Sequence, residues 1–145
     1  MDWQENILET DAEIKEILAN TKRIAVLGIK TEAQSFQPAF YVPQYLVSAG
    51  FEVIPVPVYY PEETRILGKK VYRSLAEIPE DIDLVNIFRR SADVAKHTED
   101  ILAKNPKAVW MQSGIRNDAV AETLAKAGIK VVQDACLMVE HRALR

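Results

Sequence analysis

The 145 residues are 48% apolar and 27% charged with a net charge of −3, the make-up of one globular domain that buries a core without metal or disulfide staples. That balance excludes a general affinity for nucleic-acid backbones or anionic lipid surfaces. A single cysteine, Cys136, excludes an internal disulfide framework and a cysteine-based zinc site. No basic segment followed by an apolar core opens the chain, and no apolar run is long enough to span a bilayer, so the expectation is a soluble cytoplasmic protein.

Thr10-Asp11-Ala12-Glu13 has the form of a capping box, and Ile14, Ile17 and Leu18 follow at helical spacing, which predicts an opening helix ending near Asn20. Arg23 to Ile29 is a short, continuously apolar, β-branched run, as expected of a strand buried on both faces. Phe40 to Ala49 reads as a helix stopped by Gly50, with Pro43 tolerated only in its first turn. Phe51 to Val58 is a second strand, and its prolines at 55 and 57 place it near an edge. Ser74 to Ile78 predicts a short helical turn. Ile82 to Phe88 is a third strand, with Ser91 capping a helix to about Ala103. Ala108 to Gln112 is a fourth strand, and a helix capped by Asn117 ends at Gly128. Ile129 to Val132 is the fifth strand, and a last helix starts at about Leu137.

Strands alternating with helices in this way specify an α/β, doubly wound, five-stranded parallel sheet with helices on both faces. The whole chain, residues 1–145, reads as one domain, with the helix within residues 1–20 packing onto it. There is no linker, low-complexity stretch or repeat.

In such a sheet a ligand lies beyond the carboxyl ends of the strands, where the strand order reverses. Gly28 closes the first strand, but Ile29-Lys30-Thr31-Glu32-Ala33 lacks the second and third glycines of the G-x-G-x-x-G fingerprint. What remains is a loop with Lys30, Thr31 and Ser35 leading into a helix N-terminus, a setting that suits a phosphate. The alternative is a packing glycine with a solvated lysine. The end of the second strand, Ile54 to Tyr59, has no carboxylate for the ribose hydroxyls of NAD. Tyr59 and Tyr60 either line an adenine pocket or belong to the rim. Arg89 and Arg90 either meet a phosphate or pair with Asp81, Asp83 or Asp93.

Support for catalysis is thin. His97 falls inside a predicted helix, away from the strand ends, and reads as a surface residue. His141 lies beside Glu140 and Arg142 with no partner for a triad or a metal. Asp134 beside Cys136 is the reverse of the electropositive setting that a nucleophilic cysteine needs.

Gly28, Ile54-Pro55-Val56, Ile66-Leu67-Gly68, Ser74-Leu75, Ile78-Pro79, Asp83-Leu84-Val85, Phe88-Arg89, the run Val109 to Ile115 and Asp134-x-Cys136 stand in a familiar order. From about Arg23 to Leu144 the chain resembles the small stand-alone CoA-binding proteins, which are similar to the CoA-binding domain of the succinyl-CoA ligase α subunit. The resemblance implies a Rossmann-like fold with strand order 3-2-1-4-5 and coenzyme A across the carboxyl ends. It also implies contacts from Gly28, Lys30, the loop from Ser35 to Phe40, Pro57, Val58, Phe88 and Arg89, with Gln112, Ser113 and Gly114 at the pantetheine end. Three positions depart from the pattern. Ala33 to Ala39 lacks the loop arginine, Pro57 stands where an asparagine is usual, and Ala135 stands where an arginine is usual.

The implied function is non-catalytic binding of a small molecule, coenzyme A or an acyl-CoA, with no nucleic acid or membrane partner and with a homo-oligomer allowed. The alternatives are an NAD(P)-type oxidoreductase and a ligand-free interaction module that keeps the fold. A ligase needs a nucleotide-activating domain and a phospho-accepting histidine, for which the chain has no room.

Overall fold

The computed structural model describes residues 2–144; Met1 and Arg145, the ends of the predicted domain, lie outside them. The main sheet holds β1 (Arg23–Leu27), β2 (Glu52–Val56), β5 (Leu84–Ile87), β6 (Ala108–Met111) and β7 (Lys130–Val132), all parallel. A small hairpin of β3 (Arg65–Ile66) and β4 (Lys69–Lys70) forms a separate two-stranded sheet. Along β1, Ile24 and Val26 face one side and Ala25 and Leu27 the other, and all four are buried, as the unbroken apolar run requires. Helices α1 (Asp11–Ala19), α2 (Pro38–Ser48) and α5 (Leu137–Leu144) cover the face that includes Val26 and Trp110. Helices α3 (Thr98–Lys104) and α4 (Asp118–Lys126) cover the other. The α/β class, the parallel sheet and the Rossmann-like architecture are as expected.

The strand order is β2-β1-β5-β6-β7, which in the numbering of the five predicted strands is 2-1-3-4-5 and corrects the expected 3-2-1-4-5. Proline supplies the reason. The Pro55 carbonyl points outward and accepts from the Tyr72 amide at 3.0 Å, so the missing Pro55 N–H lies on that same outer side. A strand added there would face a gap in its ladder, and β2 is therefore an edge, as its prolines predict. The chain leaves β1 for β2 on one side and returns past it to β5, which puts the reversal of strand order between β1 and β5.

Local signals at the helix ends hold in most places. Thr10 and Glu13 make the reciprocal capping box on α1, Asn117 caps α4 through the Val120 amide, and Gly50 and Gly128 take positive φ just past α2 and α4. Two expectations fail. Ser91 does not cap a continuous helix, because residues Ser91–His97 form a 3-10 turn before α3, and the Ser91 hydroxyl accepts from the Arg116 amide at 3.0 Å. Pro43 lies inside α2 rather than in its first turn. A proline there leaves the carbonyl four residues earlier without its helical donor. That carbonyl, on Ala39, accepts instead from the Lys30 amide at 3.1 Å. The helix interruption thus pins the loop after β1. At Ser74 to Ile78 there is a turn rather than a helix, with the Leu75 and Ala76 amides donating to the Asp100 carboxylate at 2.7 and 3.0 Å.

Candidate functional site

Paired in register, Leu27 and Ile87 bring the loops after β1 and β5 side by side. Gly28 has a φ of +87°, and a Cβ built on it lies 2.2 Å from the Phe88 carbonyl oxygen. Only glycine permits that approach. Lys30 leaves this junction toward α2, and its ammonium bonds the Gln37 side-chain oxygen. Gln37 is the N-cap residue of α2, yet its side chain caps no backbone amide. An ammonium and the positive end of a helix dipole therefore converge on one spot, an arrangement that an anion relieves. Ser35 is exposed in the same loop, just past a turn closed by a capping box between Thr31 and Gln34. Phe40, in the first turn of α2, is buried in the core.

Arg89 continues from Phe88 and is largely buried, with 11% of its side chain exposed. Its Nε donates to His97 Nε2 at 3.1 Å and its Nη1 to the Tyr59 hydroxyl at 3.4 Å, with the guanidinium 5.7 Å from the Tyr59 ring centre. Asp93 lies 3.9 Å from Arg89, 3.0 Å from Arg90 and 2.9 Å from Lys96. The predicted ion pair with Asp93 is present, but one carboxylate stands against three cations, so the cluster keeps a positive surplus. Bonds from Lys96 and then Arg90 hold the Asp93 carboxyl below its usual range. The Arg90 side chain is 86% exposed, with only its Nε edge engaged by Asp93 among the described residues. Tyr59, itself exposed, is held below the usual phenol range by the hydrogen bond and charge of Arg89. Beside it, Pro57 is buried and Val58 half-buried at the end of β2. His97 is not the surface histidine expected from its position. It is half-buried, and burial first and the Arg89 charge second push its pKa down.

The carboxyl ends of β6 and β7 have a different character. The Gln112 side chain points inward, where its Oε1 accepts from Asn86 Nδ2 at 3.2 Å and from the Leu137 amide at 3.3 Å. Ser113 and Gly114 are exposed in the turn that follows. Asp134, in the left-handed region at φ +54°, accepts the Gly114 amide at 2.6 Å and fixes that turn. Trp110 Nε1 donates to the Ala135 carbonyl at 2.8 Å. Cys136 is half-buried against the core. His141 also has a partner that the sequence did not reveal, since its Nδ1 shares a 2.7 Å hydrogen bond with the Tyr45 hydroxyl.

Of the predicted contacts, Gly28, Phe88 and Arg89 meet at the β1–β5 junction, Lys30 turns from it to Gln37, and Ser113 and Gly114 sit one strand further along; Tyr59 meets Arg89 from the end of β2. Sequence reasoning placed Asp134 on this edge without its bond to Gly114, and missed Asn86 and His97 as parts of it. Asn86 had a signal, a lone amide within the apolar run from Ile82 to Phe88. His97 had none, because its partner is made only when the 3-10 turn folds back on Arg89.

The family described as CoA binding domain matches residues 22–142. The chain belongs to the CoA-binding domain family. It is similar to the Bacillus subtilis (strain 168) protein YneT, at 38% identity over 130 residues that cover 90% of this chain and 93% of that one. A Thermus thermophilus protein of known structure matches with a TM-score of 0.86 and 38% identity, over 94% of this chain and all of that one. A dinucleotide-forming acetyl-coenzyme A synthetase of Ca. Korarchaeum cryptofilum shares the fold alone. At 19% identity and a TM-score of 0.65, the match covers 80% of this chain and 26% of that one. Among the described residues, no helix of this CoA-binding domain is long and apolar enough to cross a membrane.

The residues present fit the group that the family name implies. Coenzyme A pairs an anionic phosphate-rich end with a neutral amide arm. The edge offers cations and an uncapped helix N-terminus at the β1–β5 junction, and an exposed neutral turn at Ser113-Gly114.

Proposed function

We propose that the protein binds coenzyme A or an acyl-CoA at the carboxyl ends of the strands without carrying out a reaction on it. The observation that supports this most is the meeting of Lys30 with Gln37 at the uncapped N-terminus of α2, in the connection after β1, while Arg89 and Arg90 follow β5, the neighbour of β1 across the reversal of strand order. Open α/β sheets of order 2-1-3-4-5 take their ligands at that reversal. In this reading Lys30, Arg89 and Arg90 hold the phosphates by charge-assisted bonds, Gly28 and Phe88 form the floor beneath them, and the exposed face of Tyr59 meets the base. Pro57 and Val58 give an apolar wall, and the Ser113-Gly114 turn serves the pantetheine amides. Coenzyme A, once bound, supplies its thiol as an acyl carrier, and the protein's part is to hold and orient it.

Support for a binding role over catalysis comes from how the two histidines are engaged. His97 accepts from Arg89 and His141 bonds Tyr45, which leaves each in a structural setting unlike that of a phospho-accepting group. Against a nicotinamide cofactor stands the end of β2, where Val56 to Tyr59 place no carboxylate for a ribose.

Isothermal titration with CoA, dephospho-CoA and NAD tests the proposal. Micromolar or tighter binding of CoA, weaker binding of dephospho-CoA and none of NAD is the expected result. Binding of NAD in place of CoA overturns it, and no heat with any of the three transfers the protein to the interaction-module reading.

A further inference from the structure

Arg89 is a largely enclosed cation at the proposed site, and what encloses it dictates a protonation state. An arginine Nε is only ever a donor, and its guanidinium stays charged throughout the accessible pH range. His97 Nε2, 3.1 Å away, must therefore be the acceptor, which places the imidazole proton on Nδ1 and makes the ring neutral. With Nε engaged by His97, the guanidinium keeps its Nη1 and Nη2 end for other partners. Among the described residues that end has only the long 3.4 Å bond to the Tyr59 hydroxyl and the 3.9 Å approach of Asp93. Both lie beyond the distance of a strong charge-assisted bond. One edge of the guanidinium is thus fixed and the other is under-used.

From this geometry we infer that His97 is a positioning residue: as a neutral acceptor it anchors the Nε edge of Arg89 and turns the Nη edge toward an anionic ligand, and it releases Arg89 when it gains a proton. The inference rests on the binding site proposed above. A protonated His97 presents an N–H to an N–H, so the bond is lost and two cations are left in contact. The charges facing the imidazole are of both signs. Asp93 and Lys96 come from its own 3-10 turn, Asp100 from α3 and Arg89 from the loop after β5. Burial and the Arg89 charge keep the ring neutral near pH 7, in agreement with its acceptor role.

Variants at position 97 separate this role from a packing role. His97→Gln retains a neutral acceptor for Nε, His97→Ala removes it, and His97→Lys imitates the protonated ring. At pH 7.5 the affinity for CoA is expected to be nearly unchanged in His97→Gln and about tenfold weaker in His97→Ala and His97→Lys. Between pH 7.5 and 5.5 the wild-type protein is expected to lose several-fold more affinity than His97→Gln. The His97→Gln reference is needed because the phosphate monoester of CoA titrates in the same window. Equal losses in the two proteins, a His97→Gln variant as weak as His97→Ala, or a His97→Lys variant that binds more tightly would each overturn the inference.

A readout without ligand keeps its failure apart from a failure of the CoA reading. Nitrogen-15 NMR of the free protein is expected to show His97 as the Nδ1–H tautomer and the Arg89 Nε–H signal broadening away as His97 titrates. An Nε2–H tautomer, or an Arg89 signal indifferent to that titration, overturns the inference whether or not CoA binds. Absence of CoA binding in the wild-type protein, with the NMR as expected, sinks the CoA reading and keeps the anchoring of Arg89.

Discussion

The two halves of the strand-end edge share a topology and differ in chemistry. At the β1–β5 junction the backbones of Gly28 and Phe88 touch and the side chains after β5 are cationic, with Arg89, Arg90 and Lys96 set against Asp93. At the β6–β7 end the turn at Ser113-Gly114 is neutral and is held by a carboxylate, Asp134, while the polar side chains of Asn86 and Gln112 turn inward. Five parallel strands therefore yield one anion-seeking end and one amide-like end. The difference comes from which residues follow each strand, since a parallel sheet presents all its strand ends to the same side.

Removing the contact on which the first end is built should have the largest effect. Gly28→Ala places a methyl group against the Phe88 carbonyl in a left-handed backbone, and about 3 kcal/mol of stability is expected to be lost in urea unfolding. A variant of wild-type stability would mean that the two loops part easily and that the junction is not rigid. Next in size, Arg89→Ala is expected to weaken CoA binding by about 2 kcal/mol and to narrow the preference for CoA over dephospho-CoA. Arg90→Ala, at an exposed side chain, should cost less. Equal small effects from both would locate the anion elsewhere on the edge.

The second end is tested through its clamp. Asp134→Ala removes the acceptor for the Gly114 amide and puts alanine in the left-handed region, and about 1–2 kcal/mol of stability is expected to go. Asp134→Asn keeps both an acceptor and a residue tolerant of that backbone and should stay close to wild type, with Gly114 amide exchange as the measurement. Neither change should alter discrimination between CoA and dephospho-CoA, because the phosphate that distinguishes them belongs to the other end.

The smallest effect is on stability against pH. His97 has a folded pKa below its ordinary value of about 6.5, so the unfolded chain binds its proton first. Stability is then full above that value and declines as pH falls below it. Asp83 adds a second decline at lower pH. Burial opposes its ionisation, yet the Arg23 and Lys22 amides and the Lys107 ammonium outweigh burial and hold its pKa down. Its contribution is present above about pH 3.9 and is lost as the carboxylate takes up a proton below that. Chemical unfolding across pH should show the first decline vanish in His97→Gln and the second shrink in Asp83→Asn. A first decline that persists in His97→Gln would assign it to another group.

Much of the molecule follows from sequence alone. The continuously apolar run at Arg23–Ile29 can be satisfied only between two layers of helices, and the capping residues Thr10 and Asn117 mark their helices because the signals lie within one turn of the chain. Pro55 even encoded the edge position of β2, since a missing amide hydrogen is a local property. The strand order implied by resemblance ignored that signal and was corrected by it. What only the tertiary structure decided are the pairings between distant segments: Ala39 with Lys30 across an interrupted helix, Gly114 with Asp134, Tyr45 with His141, and Arg89 with His97. Each joins a donor and an acceptor whose residue types are ordinary and whose separation along the chain carries no periodicity. Hydrogen-bond partners across a fold are set by where the backbone places the two groups, and that placement exists only once the sheet has ordered its strands.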